Sequence, residues 1–394
     1  MTYPELSEVR KTFRVDWYRC PTRPGLLREL SRRSDAQGWF LAGGHLALCV
    51  ITGSLVFQFW SLEIWPAFLA ALFCHGTVTA FVRGNSTHEL GHGTVFKTKW
   101  LNKAFLYLFS LIGWWDPFDY ASSHTYHHRY TLHPEGDREV LLPVEPSLAS
   151  AFMLQLFTVN LLTQPGRIFG KGGFISTVIL TLMAAFGRDP AAEKAPANEW
   201  IRALHRDQPL EHRNAMVWSR ILLLFHGSVL LIAIATGLWV LPLIFSVSAF
   251  TANWLQYFVN LPQHCGLRDD TPDFRKSVRS MKLNPFFSFL YWRMEWHIEH
   301  HMYAGVPCYN LHKLHKEIAS DMPEPRTLIG AWKEMRQVWR QQKTDPDYQF
   351  DTPLPPTAKH ARDDSPDAQL EASIGELAPA GLQERPPTRP RQEN

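Results

Sequence analysis

Residues 221–267, ILLLFHGSVLLIAIATGLWVLPLIFSVSAFTANWLQYFVNLPQHCGL, contain no Asp, Glu, Lys or Arg. A bilayer core of roughly 30 Å takes about 20 apolar residues per helix. The run is therefore long enough for two spans, with Gly237 and Pro242 marking the turn between them. Two shorter charge-free runs, 36–62 and 64–82, are each sized for one span. Trp39, Trp60 and Trp65 stand at their ends, where an indole suits headgroup depth. The pattern predicts an all-α integral membrane protein with two transmembrane helical hairpins. The first pairs Trp39–Trp60 with Trp65–Val82, and the second fills 221–267.

The whole chain of 394 residues carries 40 Lys+Arg against 37 Asp+Glu, a net charge of +3, and is 45% hydrophobic. Such a balance excludes a nucleic-acid binder driven by bulk charge and a wholly disordered chain. A mean hydropathy of −0.18 only averages the apolar runs with charged segments. Residues 1–35 form a basic arm with no apolar h-region, so no cleavable signal peptide is expected and the arm is placed in the cytoplasm. Arg220 before the long run, and Arg268, Arg275, Lys276, Arg279 and Lys282 after it, open the second hairpin to the same side. Residues 146–166 and 172–187 read as interfacial or re-entrant, and 104–115, about 18 Å as a helix, are too short to span. From 351 onward the chain is rich in Pro and lacks aromatics, so 351–394 is expected to be a disordered tail. Residues 36–350 remain as the membrane domain. The five cysteines form no CxxC pair and are expected to be reduced thiols.

Histidines cluster just outside the spans. HELGH supplies His88 and His92, HTYHH supplies His124, His127 and His128, and HIEHH supplies His297, His300 and His301. On a helix the offsets i, i+3 and i+4 share a face, so each box is expected to aim its imidazoles at one point. With 18 histidines, one HxxHH arises by chance about 0.04 times. Eight imidazoles exceed what one tetrahedral zinc uses, and two metal ions are the economical reading. A fourth element, NLPQH, adds His264 and Asn260, the latter able to hold a metal-bound water.

The order and context of HELGHGTVF, SHTYHHRYT, NLPQH and MEWHIEHHMYAGVPCYNLHKLH, over about residues 36–320, resemble the membrane fatty acid desaturase and hydroxylase superfamily. The resemblance implies a non-haem di-iron centre of two Fe2+ that uses O2 as co-substrate. Its ligands would be His88, His92, His124, His127, His128, His264, His297, His300 and His301, with Asn260 at a water-mediated position. The implied activity is insertion of a double bond into a fatty acyl or lipid chain by a cytoplasmic helical cap that carries the boxes. A hydroxylase is the alternative, for NLPQHCGL is faintly similar to the matching box of alkane hydroxylases, whereas HTYHH lacks their second-box pattern. A metal transporter fits less well, because its ligands belong near the bilayer midplane, and a membrane-embedded zinc hydrolase needs fewer ligands.

Glu89 and Glu299 are expected on a solvated face or hydrogen-bonded behind the ligands, and Asp137 and Glu139 as loop anchors or partners of Arg129 or Arg138. His133, His312 and His315 fall outside the pattern, while His45, His75 and His226 read as helix-packing residues. No GxGxxG opens a nucleotide domain and no cysteine spacing suits an iron–sulfur cluster. Electrons are therefore expected from an external donor such as a ferredoxin or a cytochrome b5-like protein. The basic segment Arg268–Lys282 is expected either to dock that carrier or simply to enforce topology and meet anionic lipid headgroups.

Overall fold

The computed structural model of the chain describes residues 3–162, 172–190 and 196–359. It is about 63% helical. Among the described residues the strands are only Met281–Lys282 and Arg326–Thr327, paired in parallel. Three helical stretches are long and apolar enough to cross a membrane: Asp35–Ser61, Trp65–Gly91 and Pro209–Thr236. On them Leu69, Leu224 and Leu231 are 62%, 72% and 68% exposed. Leucines turned outward along whole helices are costly in water, and a hydrocarbon solvent removes that cost. The all-α membrane fold expected from the sequence is the fold observed.

The short helix α1 (Leu6–Thr12) lies on the body rather than apart from it, its Leu6 and Val9 buried with Tyr126 and Trp200. Helices α2 (Gly44–Ser61) and α3 (Trp65–Ala80) pack side by side. Beyond α3 the backbone kinks at Arg83 and Gly84, where Gly84 takes φ 91°, a conformation that favours glycine. The chain then re-forms as α4 (Thr87–Gly91). Next come α5 (Pro117–Tyr130), α6 (Phe174–Ala185) and α7 (Pro209–Thr236). α7 starts well before the charge-free run and takes in Glu211, Arg213 and Arg220.

The second half of 221–267 is not the second long span expected. After Gly237, at φ 75°, the return is broken into Val240–Phe245, the 3-10 turn Ser248–Phe250 and Trp254–Asn260. The break is held by backbone pairing: Asn160 N donates to Phe250 O, Ala252 N donates to Thr158 O, and Val159 bridges Thr251. Helix α3 approaches this break at backbone distance, for a Cβ on Gly76 would sit 2.2 Å from Thr251 O. Residues 146–166 and 172–187 yield the short helix Ser150–Phe157 and α6, neither long enough to span, and 163–171 lie outside the described residues.

The histidines inside the helices do pack them together. His45 joins Val78 O at 2.9 Å and accepts from Trp292 Nε1 at 2.8 Å. His75 bridges Thr52 and Ile244 O, and His226 bridges Ser246 and Leu111 O. All five cysteines are free thiols.

Two expectations about charge and order are corrected. The basic segment is not a free cationic surface. Arg275 is buried against Asp273 and Asp321, and Arg279 is buried against Glu334. Arg268 and Lys276 pair with Asp351, and Lys282 with Glu324. Nor does order end at 350. Lys276 Nζ donates to Thr352 O, Arg275 to Lys359 O, and Lys359 N to Asp321. Residues 360–394 lie outside the described residues. A chain ending at Lys359 is expected to keep full thermal stability. One ending at Gln349 loses about 1–2 kcal/mol, read as a drop of a few degrees in melting temperature of the detergent-solubilised protein.

Candidate metal centre

Three helices and a 3-10 turn carry the imidazoles. Asp116 caps α5, its carboxylate accepting from Phe118 N and Asp119 N, and Pro117 fills the first helical position. The helix then presents His124, His127 and His128. His88 rides on α4 and His92 closes it. Helix α8 (His297–Met302) holds His297, His300 and His301. His264 follows the 3-10 turn Leu261–Gln263. Buried Arg279 fixes that turn by donating to Pro262 O and Cys265 O, while Glu334 balances its charge at 2.7 Å.

The imidazoles sort into two adjoining groups. His88, His92, His124, His128 and His300 could hold one metal ion, their ligand atoms lying within 4.8 Å of one another, and His127, His264 and His301 could hold another. His297 stands beside the second group, with its Nε2 3.2 Å from His301 Nε2. The rings of His128 and His301, one from each group, are 4.5 Å apart. All nine histidines of the expected set are thus brought together. Asn260 accepts from Asn85 at 2.8 Å and lines the same cavity as His264 and His297.

The expectation that each box aims at one point is corrected. In HTYHH the i, i+4 pair His124 and His128 faces the first group and His127 the second. In HIEHH the allotment is reversed: His301, with His297 beside it, faces the second group, and His300 the first. Successive helical residues are about 100° apart, so neighbouring histidines diverge while an i, i+4 pair stays together. One HxxHH therefore serves two groups.

Outward-facing hydrogen bonds set the rings. Nδ1 is engaged by the Tyr120 hydroxyl in His88 at 2.8 Å, by Asp137 in His127 at 2.8 Å and by Glu139 in His124 at 3.3 Å. Ser277 O does the same for His264 at 3.1 Å, and Thr131 for His301 at 3.1 Å. With Nδ1 occupied, Nε2 is left to face inward. There, His92 Nε2, His124 Nε2 and both nitrogens of His128 are buried without a hydrogen-bond partner. His88 Nε2 and His300 Nε2 lie 2.7 Å apart. Buried, convergent, neutral imidazole nitrogens suit a divalent transition metal.

Electrostatics agree with neutral rings. Burial, reinforced by neighbouring imidazoles, pushes His124, His128, His297, His300 and His301 well below the usual histidine range. Burial alone brings His92 down to about 4, and burial with the charge of His127 brings His264 to about 3. His127 is raised: burial opposes its charge, but the Asp137 carboxylate outweighs burial. Burial lifts Glu139 to about 7.

Several partners differ from expectation. Asp137 anchors its loop, accepting from Leu132 N and Glu139 N, and also holds His127. Glu139 takes Ser123 and His124, and Arg138 turns instead to Glu199 at 2.9 Å. Neither glutamate within the boxes is solvated. Glu89 is buried with Oε1 3.6 Å from both His88 Nε2 and His300 Nδ1, and Glu299 is buried between Ser280 and His315. His133 bonds backbone oxygens of its own turn and His312 stacks on Trp296, so both stand outside the two groups. Tyr120, Thr131 and Ser277 went unread in the sequence, since nothing in their spacing marks them.

A cavity of about 260 Å³ reaches the two groups at His88, His124, His127, His264 and His297. Its apolar lining includes Trp115, Leu180, Ile201 and Leu222, and its polar lining Asp119, Asp189 and His205. The fatty acid desaturase family matches residues 63–332, more than half of the chain, and the protein belongs to that family. No curated relative matches it.

The depressed imidazoles set a pH dependence for the metal-free protein. An unfolded histidine takes up its proton near pH 6.5, whereas folded His92 does so only near 4. Between those values the unfolded chain binds more protons, so stability falls as pH falls, by about 1.4 kcal/mol per pH unit for each such histidine. Denaturation of chelator-treated protein between about pH 7 and pH 5 is expected to show this loss. A flat profile contradicts the neutral cluster.

Proposed function

We propose that the protein is a multi-pass, membrane-bound, O2-dependent desaturase that introduces a double bond into a fatty acyl or lipid chain. The observation that carries this reading is the convergence of buried imidazole nitrogens into two touching groups within a desaturase-family chain. His88, His92, His124, His128 and His300 would hold one iron. His127, His264, His297 and His301 would hold the second, with Asn260 placed to steady a water beside it. A bound iron pair supplies the oxidising power that side chains lack for removing hydrogen from an unactivated C–H bond, with O2 as co-substrate and electrons from an external donor such as a ferredoxin or cytochrome b5-like protein.

The chain's own residues do the rest. Tyr120, Asp137, Glu139 and Thr131 hold ring nitrogens in place. The walls Trp115, Leu180 and Leu222 favour an alkyl chain and exclude water from the reacting carbon. The basic arm 1–35 supports a site on the cytoplasmic face, by the positive-inside rule. Loss of a second hydrogen from the chain gives an alkene, whereas oxygen transfer gives an alcohol, so the product decides between desaturase and hydroxylase.

Metal analysis of the purified protein is expected to give about two irons per chain, the number the two histidine groups accommodate. A single zinc refutes the reading. His92→Ala, His128→Ala and His301→Ala should each abolish turnover while membrane expression stays normal, because these residues lie outside the spans that drive insertion. Near-full activity in two of the three contradicts a shared centre. Asp137→Asn removes the charge behind His127 and is expected to weaken iron retention about 10–100-fold. Titration with a chelator measures it.

A further inference from the structure

Helix α9 (Leu328–Gln342) carries an unbalanced row of charge. Of the nearby cations, Arg268, Arg275, Lys276, Arg279, Lys282 and Arg326 each meet a carboxylate, whereas Arg293, Lys313 and Lys316 form no ion pair among the described residues. Lys333, Arg336 and Arg340 form no ion pair among the described residues, and Glu334, the acid next to Lys333, is taken by Arg279 and Arg326. Arg336 donates to Pro146 O at 3.0 Å. Offsets of three and four residues put the three cations on one helix face over about 10 Å. Ile329, on that face one turn earlier, is 70% exposed.

These cations border a surface groove of about 760 Å³ floored by Phe157, Trp254, Phe258 and Trp332. The groove runs into the lipid-facing side of the first spans, for Trp254 stacks on Phe157 with centroids 5.3 Å apart and on Phe73 of α3 at 6.5 Å. Phe73 is itself turned outward on that span. An apolar floor continuous with hydrocarbon and a cationic row at one edge match one kind of molecule, an amphiphile with a negative head.

We propose that this groove seats an anionic phospholipid, its phosphate on Lys333, Arg336 and Arg340 and an acyl chain along Trp254 and Phe157. A soluble acidic redox carrier could meet the cations but has no apolar tail for the aromatic floor and exposed Ile329, which an amphiphile covers. The inference is independent of the iron assignment, since none of these residues belongs to the histidine groups.

The test uses the full-length protein in nanodiscs of phosphatidylcholine with a minority of phosphatidylglycerol, followed by native mass spectrometry of the lipid that stays bound. The wild type is expected to retain phosphatidylglycerol over phosphatidylcholine with a preference on the order of 100-fold, from roughly additive contributions of three cations near the headgroups. K333Q/R336Q/R340Q should lose that preference. K333Q/R340Q, which leaves the Arg336 bond to Pro146 in place, should lose most of it and guards against misfolding of the triple variant. Equal retention of both lipids by the wild type overturns the proposal. Displacement of phosphatidylglycerol by millimolar inorganic phosphate also overturns it, in favour of a simple phosphate site. Unchanged lipid retention in both variants, with a raised requirement for ferredoxin in turnover, assigns the row to carrier docking instead.

Discussion

The arrangement that the surrounding structure serves is a packing of imidazoles whose inner nitrogens face one another. His88 and His300 approach Nε2 to Nε2 at 2.7 Å, and His297 and His301 at 3.2 Å. Several rings are also held from outside, and the surrounding fold supplies the partners. The loop after α5 turns back so that Asp137 and Glu139 reach His127 and His124. The kink at Gly84 lets α4 leave the line of α3 and bring His88 to Tyr120. Such constraint from behind leaves the inward nitrogens free for a cation.

The histidines themselves were legible because spacing on a helix is a local property. Which group each would face was not. His127 and His128 are sequence neighbours, yet they serve opposite groups, since their directions differ by about 100° and the crossing of α5, α8 and α4 decides what stands in each direction. The same limit hid the roles of Asp137 and Glu139. Read along the chain they are two acids beside Arg138, and the nearest opposite charge looks like the partner. In three dimensions Arg138 faces Glu199, and the acids turn inward to imidazoles whose burial makes a charged or accepting neighbour valuable.

The spans were readable to the extent that composition reports solvent. A charge-free run states that a segment avoids water, but a helix in lipid and a broken return buried against other helices avoid it equally. In 221–267 the first half is continuous helix and the second is not. The difference comes from the left-handed turn at Gly237 and from backbone pairing between 158–160 and 250–252, contacts made possible because Gly76 lets α3 lie directly on Thr251. Irregular backbone at that depth persists only where its polar groups find partners, and here they do.

Charge counting failed in a more instructive way. The cluster Arg268–Lys282 looks like a cationic surface because the acids that neutralise it, Asp321, Glu324, Glu334 and Asp351, lie far away in sequence. Burying Arg279 is expensive unless it is both paired and hydrogen-bonded, and it is both, through Glu334 on one side and the carbonyls around Pro262 and Cys265 on the other. That arrangement makes Arg279 a strut between α9 and the turn that presents His264. The inner face of α9 thus helps to position His264, while its outer face carries Lys333, Arg336 and Arg340 along the aromatic groove. Glu334 turns inward to Arg279 and Arg326 and so does not balance the cations beside it on the same helix.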